Sequence, residues 1–156
     1  MRPSALLDTA VPLLALGGEH ALKPACVRVL ELAAARAFDA VASVELVQEF
    51  AFHRLRRHGD PSGAAGEASE LSKLLRLEPF DRAVLAESLR LAGIGAARGR
   101  DAVHAATALL HGLDAVITPD GDFDGIPGLV RISPADLPAW IDAGGGTGLG
   151  GVRRGD

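Results

Sequence analysis

Residues Gly99–Gly125 read GRDAVHAATALLHGLDAVITPDGDFDG, and the order of chemistries in this stretch decides the fold. Asp101 opens an alanine-rich run with helical spacing, and Gly112 supplies a C-terminal stop. The apolar run Ala115–Thr118 then reads as a short strand, and Asp120, Asp122 and Asp124 follow at once. A strand so short and so uniformly apolar suits a parallel sheet covered on both faces. At about 100° per residue, Ala102, Ala105, Ala106, Leu109 and Leu110 share one apolar face. His104, Thr107 and His111 fall opposite, with Asp101 on the border, and His104 and His111 are expected at the surface. Taken alone, Asp101 is a good N-cap. Asp120, Asp122 and Asp124 alone make a solvated turn, which Gly121 and Gly125 encourage.

Working outward, Ser4–Leu7 is a short apolar strand that ends in Asp8-Thr9, and Gly17-Gly18 is a break. Val27, Leu30 and Ala34 give helical spacing to Leu22–Ala37, with Pro24 tolerable in the first turn. Phe38–Ala42 reads as a second strand, and Ser43 as the N-cap of a helix running to about His58. Asp60-Pro61 starts another helix, Leu75–Pro79 is a brief strand, and Phe80–Leu91 is helical. Val130–Ile132 is a last strand, and Ser133-Pro134 caps a short helix through Trp140. Residues 143–156 are glycine-rich and expected to be a disordered tail, leaving one domain over residues 1–142. Strands alternating with helices predict an α/β fold, a parallel sheet with helices on both faces. In such sheets the working crevice lies beyond the carboxyl ends of the strands, where Asp8 and Asp120 both fall.

Composition narrows the function classes. The chain has 156 residues, 48% of them hydrophobic, which is enough for one real core. Its single cysteine, Cys26, excludes an internal disulfide framework and a cysteine-based zinc site. Asp8 and Pro12 interrupt the apolar N-terminal run, so it makes a poor secretory signal. No apolar run approaches the roughly 18 residues of a membrane span, and a cytoplasmic protein is expected. A net charge of −4 argues against a broadly basic nucleic-acid binder but leaves room for local basic patches. One such patch is His53-Arg54-Leu55-Arg56-Arg57-His58, where Arg54, Arg56 and Arg57 are candidate RNA contacts. The same run is equally readable as a solvated helix end whose cations suit the dipole.

The acids carry the chemistry. There is no phosphate loop of the GKS or GKT kind, no GxSxG elbow and no HExxH motif. Carboxylates gathered without Cys or His partners suit a hard cation, Mg²⁺ or Mn²⁺. Without a cation the arrangement is expensive, since two carboxylates about 5 Å apart repel by roughly 3 kcal/mol at an effective dielectric of 20. On the helix after Ser43 two further acids are available: Glu49 lies at the edge of the apolar face and Glu45 further into the polar side.

Four pieces of the chain, LLDTAVPLLAL, SVELVQEF, GRDAVHAATALLHGL and VITPDGDFDGIPGL, occur in this order between Leu6 and Leu129. Together they resemble the PIN-domain family, specifically the VapC-type toxins of bacterial toxin–antitoxin pairs. The resemblance implies a three-layer α/β/α sandwich with a mainly parallel sheet. It also implies a Mg²⁺- or Mn²⁺-dependent endoribonuclease that cuts RNA with metal-activated water, is restrained by a cognate antitoxin and forms a homodimer. Carried over by motif, the four acids are Asp8, Glu49, Asp101 and Asp120. Asp8, Asp101 and Asp120 would be metal ligands, Asp122 or Asp124 would assist the last, and Thr9 and Thr118 would support them. Ala10 departs from the Asn or Ser often found there. Two other readings are a catalytically silent PIN module that only binds protein, and another Mg²⁺-dependent phosphohydrolase. Ala10 weighs against the haloacid-dehalogenase type of the latter, whose first motif requires Asp at that position.

Overall fold

The computed structural model describes residues 1–147. Five strands form one sheet: β1 (Ser4–Leu7), β2 (Asp39–Ser43), β3 (Arg76–Glu78), β4 (Ala115–Ile117) and β5 (Val130–Ile132). Their order is β3-β2-β1-β4-β5, and every neighbouring pair is parallel. The register sets Leu6 beside both Val41 and Val116, so these three point to one face. Ala5, Leu7, Ala40, Ala42, Ala115 and Ile117 point to the other. Both faces are buried at the centre of the sheet, which is why β1 and β4 read as unbroken apolar runs, whereas the edge strands β3 and β5 each carry an arginine.

The second of these faces is covered by α1 (Ala10–Leu16), α2 (Lys23–Ala34), α3 (Val44–His58), α4 (Pro61–Leu74) and α7 (Leu137–Asp142). The Leu6 face is covered by α5 (Arg82–Gly93) and α6 (Gly99–Leu110), with Phe123, Ile126 and Leu129 of the following loop. The result is the three-layer α/β/α sandwich expected from the sequence. Local signals explain most boundaries. The Ser43 hydroxyl accepts from the Glu45 N–H at 3.2 Å to start α3, and the Asp81 carboxylate accepts from the Val84 N–H at 3.0 Å to start α5. Gly59 ends α3 in the left-handed region at φ 66°, its N–H returned to the Leu55 carbonyl at 2.7 Å.

Several expectations need correction. Helix α1 has no counterpart among the elements expected from the sequence, where the run after Asp8 is too short to show a helical period. Pro12 is the third helical residue, where the missing N–H has no intrahelical partner to lose. Asp101 is not an N-cap: α6 starts two residues earlier at Gly99, which leaves the Asp101 carboxylate free in the first turn. Nor is His104 a surface residue, being 1% exposed, and Thr107 is buried as well. A single-stripe helical wheel fails here because α6 is wedged between the sheet, α5 and the Phe123 loop. Ser133 does not cap a helix N–H. Its hydroxyl donates to Asp136 at 2.8 Å, and a 3₁₀ turn at Pro134–Asp136 precedes α7.

Arg54 is likewise not a surface cation. It is buried, donates to both carboxylate oxygens of Glu67 and to the Leu16 carbonyl at 2.9 Å, and so ties α3 to α4 and α1. The chain beyond α7 turns back on the domain: the Gly145 N–H donates to the Trp140 carbonyl, and the Thr147 hydroxyl to Asp114 at 2.7 Å. The rest of the expected tail, residues 148–156, lies outside the described residues.

Candidate metal centre at the switch point of the sheet

From β1 the chain runs outward through β2 to β3, then returns to place β4 on the other side of β1. The crevice between the carboxyl ends of β1 and β4 is therefore the switch point where ligands of open α/β sheets bind. Asp8 leaves β1 there, with its N–H on the Ile117 carbonyl at 3.2 Å, and Thr118 leaves β4. The Thr118 hydroxyl donates to Asp8 Oδ2 at 2.8 Å and accepts from the Asp120 N–H at 3.0 Å. One buried threonine thus ties the first acid to the loop that carries the fourth.

Three carboxylates converge over this crevice. Asp101, Asp120 and Asp122 each offer an oxygen, and these oxygens lie within 4.8 Å of one another. The backbone N–H of Asp122 donates to Asp120 Oδ1 at 2.9 Å, which tightens the loop around its own acids. Asp124 takes no part. Arg131 grips it with two hydrogen bonds of 2.8 and 3.1 Å, and this partner holds its carboxyl below the usual range. Of the two residues expected to assist Asp120, the one in the cluster is Asp122. A hollow of about 500 Å³ opens beside it, lined by Arg98, Asp101, Gly121, Asp122 and Asp124 among others.

The electrostatics of the cluster are unbalanced. Burial, then the charges of Asp8 and Asp120, with a further contribution from Asp122, push the Asp101 carboxyl up to about 6. The His104 ring works against them. Asp8, only 5% exposed, is also raised, chiefly by burial. His104, the Thr118 hydroxyl and the N–H groups of Thr9 and Ala10 at the start of α1 offset part of that cost. A carboxylate set whose own charges oppose ionisation is a site that gains from a cation.

Glu49 has the opposite surroundings. Its carboxylate accepts from the Thr9 hydroxyl at 2.9 Å and meets Arg100 Nη1 at 3.0 Å, with His53 and His104 each 3.8 Å away. Burial works to raise it, but the hydrogen bonds from His104, Thr9 and Arg100 and the Arg100 charge together hold it down at about 2. It does not join the three-carboxylate cluster. Glu45, the other acid on α3, stands in the first turn beside the Ser43 cap.

Thr9 occupies the N-cap position of α1 yet spends nothing on the helix. Its one hydroxyl proton goes to Glu49, so the His104 Nε2 that faces it at 3.1 Å must carry a hydrogen. His104 Nδ1 is buried and, among the described residues, has no partner. His104 and Arg100 are the two site residues absent from the sequence reading. For His104 there was a signal, since an i,i+3 step from Asp101 keeps it on the same side of the helix. Arg100 gave none, because its partner Glu49 lies on another helix far along the chain.

The family model of the PIN domain matches residues 5–129, and the chain belongs to that family. Among curated proteins, none matches the sequence. Solved structures do. FitAcB from Neisseria gonorrhoeae shares 25% identity at TM-score 0.64, covering 83% of this chain and 97% of that one. A toxin–antitoxin complex from Klebsiella pneumoniae shares 22% at TM-score 0.62, with coverage of 83% and 97%. VapC20 of Mycobacterium tuberculosis, a sarcin–ricin loop cleaving toxin, shares 21% at TM-score 0.63, with coverage of 80% and 98%. The fold is that of the VapC-type PIN toxins.

Proposed function

We propose that this protein is a divalent-cation-dependent endoribonuclease and the toxin of a toxin–antitoxin pair. The observation that supports this best is the convergence of Asp101, Asp120 and Asp122 at the switch point of a PIN-family sheet. The donor set fits Mg²⁺ or Mn²⁺: it is all oxygen, it carries excess negative charge, and burial and neighbouring acids penalise Asp101 when it ionises. A bound ion would supply a lowered pKa for water and a counter-charge for the phosphate. Asp101, Asp120 and Asp122 would hold it, and Asp8, which lies outside that cluster but whose charge acts on Asp101, would add to the negative field around it.

The remaining roles belong to the chain itself. Thr118 aims the Asp8 carboxylate and fixes the Asp120 loop. Glu49, already engaged by Thr9 and Arg100, positions the Arg100 guanidinium at the rim, where it faces an incoming phosphate. Glu49 is therefore a positioning acid in this reading, with no direct bond to the ion.

An antitoxin partner follows from the toxin–antitoxin complexes among the structural relatives. Exposed Leu85 and Leu89 on α5 suit a homodimer contact. No helix among the described residues is long and apolar enough to cross a membrane. The test is incubation of total RNA with purified protein in millimolar Mg²⁺ or Mn²⁺. Wild type is expected to fragment RNA, Asp101→Asn and Asp120→Asn to leave it whole, and a chelator or the antitoxin encoded next to it to stop the wild type. Intact RNA with folded wild type in both metals overturns the reading.

A further inference from the structure

An acidic centre repels the polyanion it is to cut, so a chain of net charge −4 needs a positive foothold close by. The structure has one. A hollow of about 410 Å³ lies between α1 and the C-terminal half of α3, lined by Leu13, Gly17, His53, Arg54, Arg56 and Arg57. No carboxylate lines it. Arg54 forms one wall, but its donors are committed to Glu67 and Leu16. Arg56 and Arg57 differ: among the described residues neither is paired with a carboxylate.

Their positions are built. Arg56 lies over the Phe52 ring, 5.7 Å from its centre. The Arg57 guanidinium lies against Gly17-Gly18, so closely that a Cβ at Gly18 would stand 2.6 Å from Nη2. Gly18 leaves the space that the guanidinium fills, whereas a Cβ at Gly17 would meet the Leu13 carbonyl at 2.6 Å. His53 lines the hollow and sets its Nε2 3.8 Å from the Glu49 oxygen that holds Arg100, so the hollow lies one side chain from Glu49. His53 thus stands between the Glu49–Arg100 pair and the hollow that holds Arg57.

We propose that this hollow is a backbone-phosphate subsite for single-stranded RNA, with Arg57 as its principal ligand and Arg56 and His53 beside it. The inference rests on the ribonuclease reading. A contact to a backbone phosphate carries no sequence information, so the subsite adds affinity without sequence preference. The test is fluorescence anisotropy of a labelled single-stranded RNA on Asp101→Asn protein, which binds without cutting, over a series of salt concentrations. Adding Arg57→Ala is expected to weaken binding about fivefold to tenfold and to reduce the salt slope by about 0.7, one phosphate contact on a single strand.

Gly18→Ala keeps every charge but pushes the guanidinium aside, and is expected to weaken binding about twofold to threefold. In otherwise wild-type protein, Arg57→Ala should raise KM for RNA and leave kcat unchanged. Binding and salt slope unchanged in both variants, with wild type still cutting RNA, overturn the subsite alone. Loss of antitoxin inhibition with RNA binding intact assigns the hollow to the protein partner and also overturns it. Wild type that neither binds nor cuts RNA removes the ribonuclease reading and the subsite together.

Discussion

Replacing Asp101 by Asn is expected to make the protein more stable in the absence of metal while abolishing its activity. The Asp101 carboxyl is pushed from 3.8 to about 6 in the folded state. Between those two pH values the folded chain holds a proton that the unfolded chain has lost, so stability falls as pH rises through the window and stays lost above it. The full shift corresponds to about 3 kcal/mol, and partial exposure of the side chain reduces this to about 1–2 kcal/mol. Asn cannot ionise and escapes that cost. For a chain of this size the gain is a rise in Tm of roughly 2–8 °C. Thermal unfolding in a chelator at pH 7.5 and pH 4 measures it: the variant should melt higher at pH 7.5, and the gap should close at pH 4. Millimolar Mg²⁺ should then stabilise wild type and leave Asp101→Asn unmoved. A variant that melts at or below wild type at pH 7.5 refutes the reasoning.

Glu49 gives the opposite pH behaviour. Its folded value of about 2 lies below its ordinary 4.5, so its contribution is present above pH 4.5 and lost as pH falls towards 2. The side chain is 15% exposed, and the contribution is on the order of 2–3 kcal/mol; Glu49→Gln should flatten that part of a stability-against-pH curve measured by denaturant unfolding. Arg54→Ala should cost about 1–3 kcal/mol in urea unfolding, since it strips the Leu16 carbonyl and Glu67 of their donor. The same change should leave the salt slope of RNA binding alone, because the Arg54 guanidinium is buried and clamped by Glu67 and the Leu16 carbonyl. Thr118→Val keeps the packing volume but removes a hydrogen bond that favours the ionised form of Asp8. The acid limb of the cleavage pH profile should move to higher pH.

The sheet was readable because both its faces are buried, which leaves strands such as Ser4–Leu7 and Val130–Ile132 with the observed boundaries. Of the acids singled out in the sequence, Asp101 and Asp120 converge with Asp122, whereas Glu49 stands apart with its own cations. What escaped depends on three-dimensional neighbours. His104 was misplaced because a helical wheel allows one buried face, and α6 has more than one. Arg54 looked like its neighbours Arg56 and Arg57 until Glu67, on the next helix, proved to be its partner. The choice between Asp122 and Asp124 turned on Arg131, a residue on β5 with no mark in the sequence to show which acid it takes. Charge pairs across elements leave no periodic trace, whereas burial does.

Binding of Mn²⁺ to the protein free of RNA, followed by titration calorimetry or by the loss of free-ion paramagnetic signal, tests the central claim most directly. Asp101, Asp120 and Asp122 share one ion-sized space, and Glu49 stands apart from it with its own cations. Wild type and Glu49→Gln should therefore bind saturably, and Asp120→Asn should not. Equal binding by wild type and Asp120→Asn, or loss of binding in Glu49→Gln alone, would contradict the account.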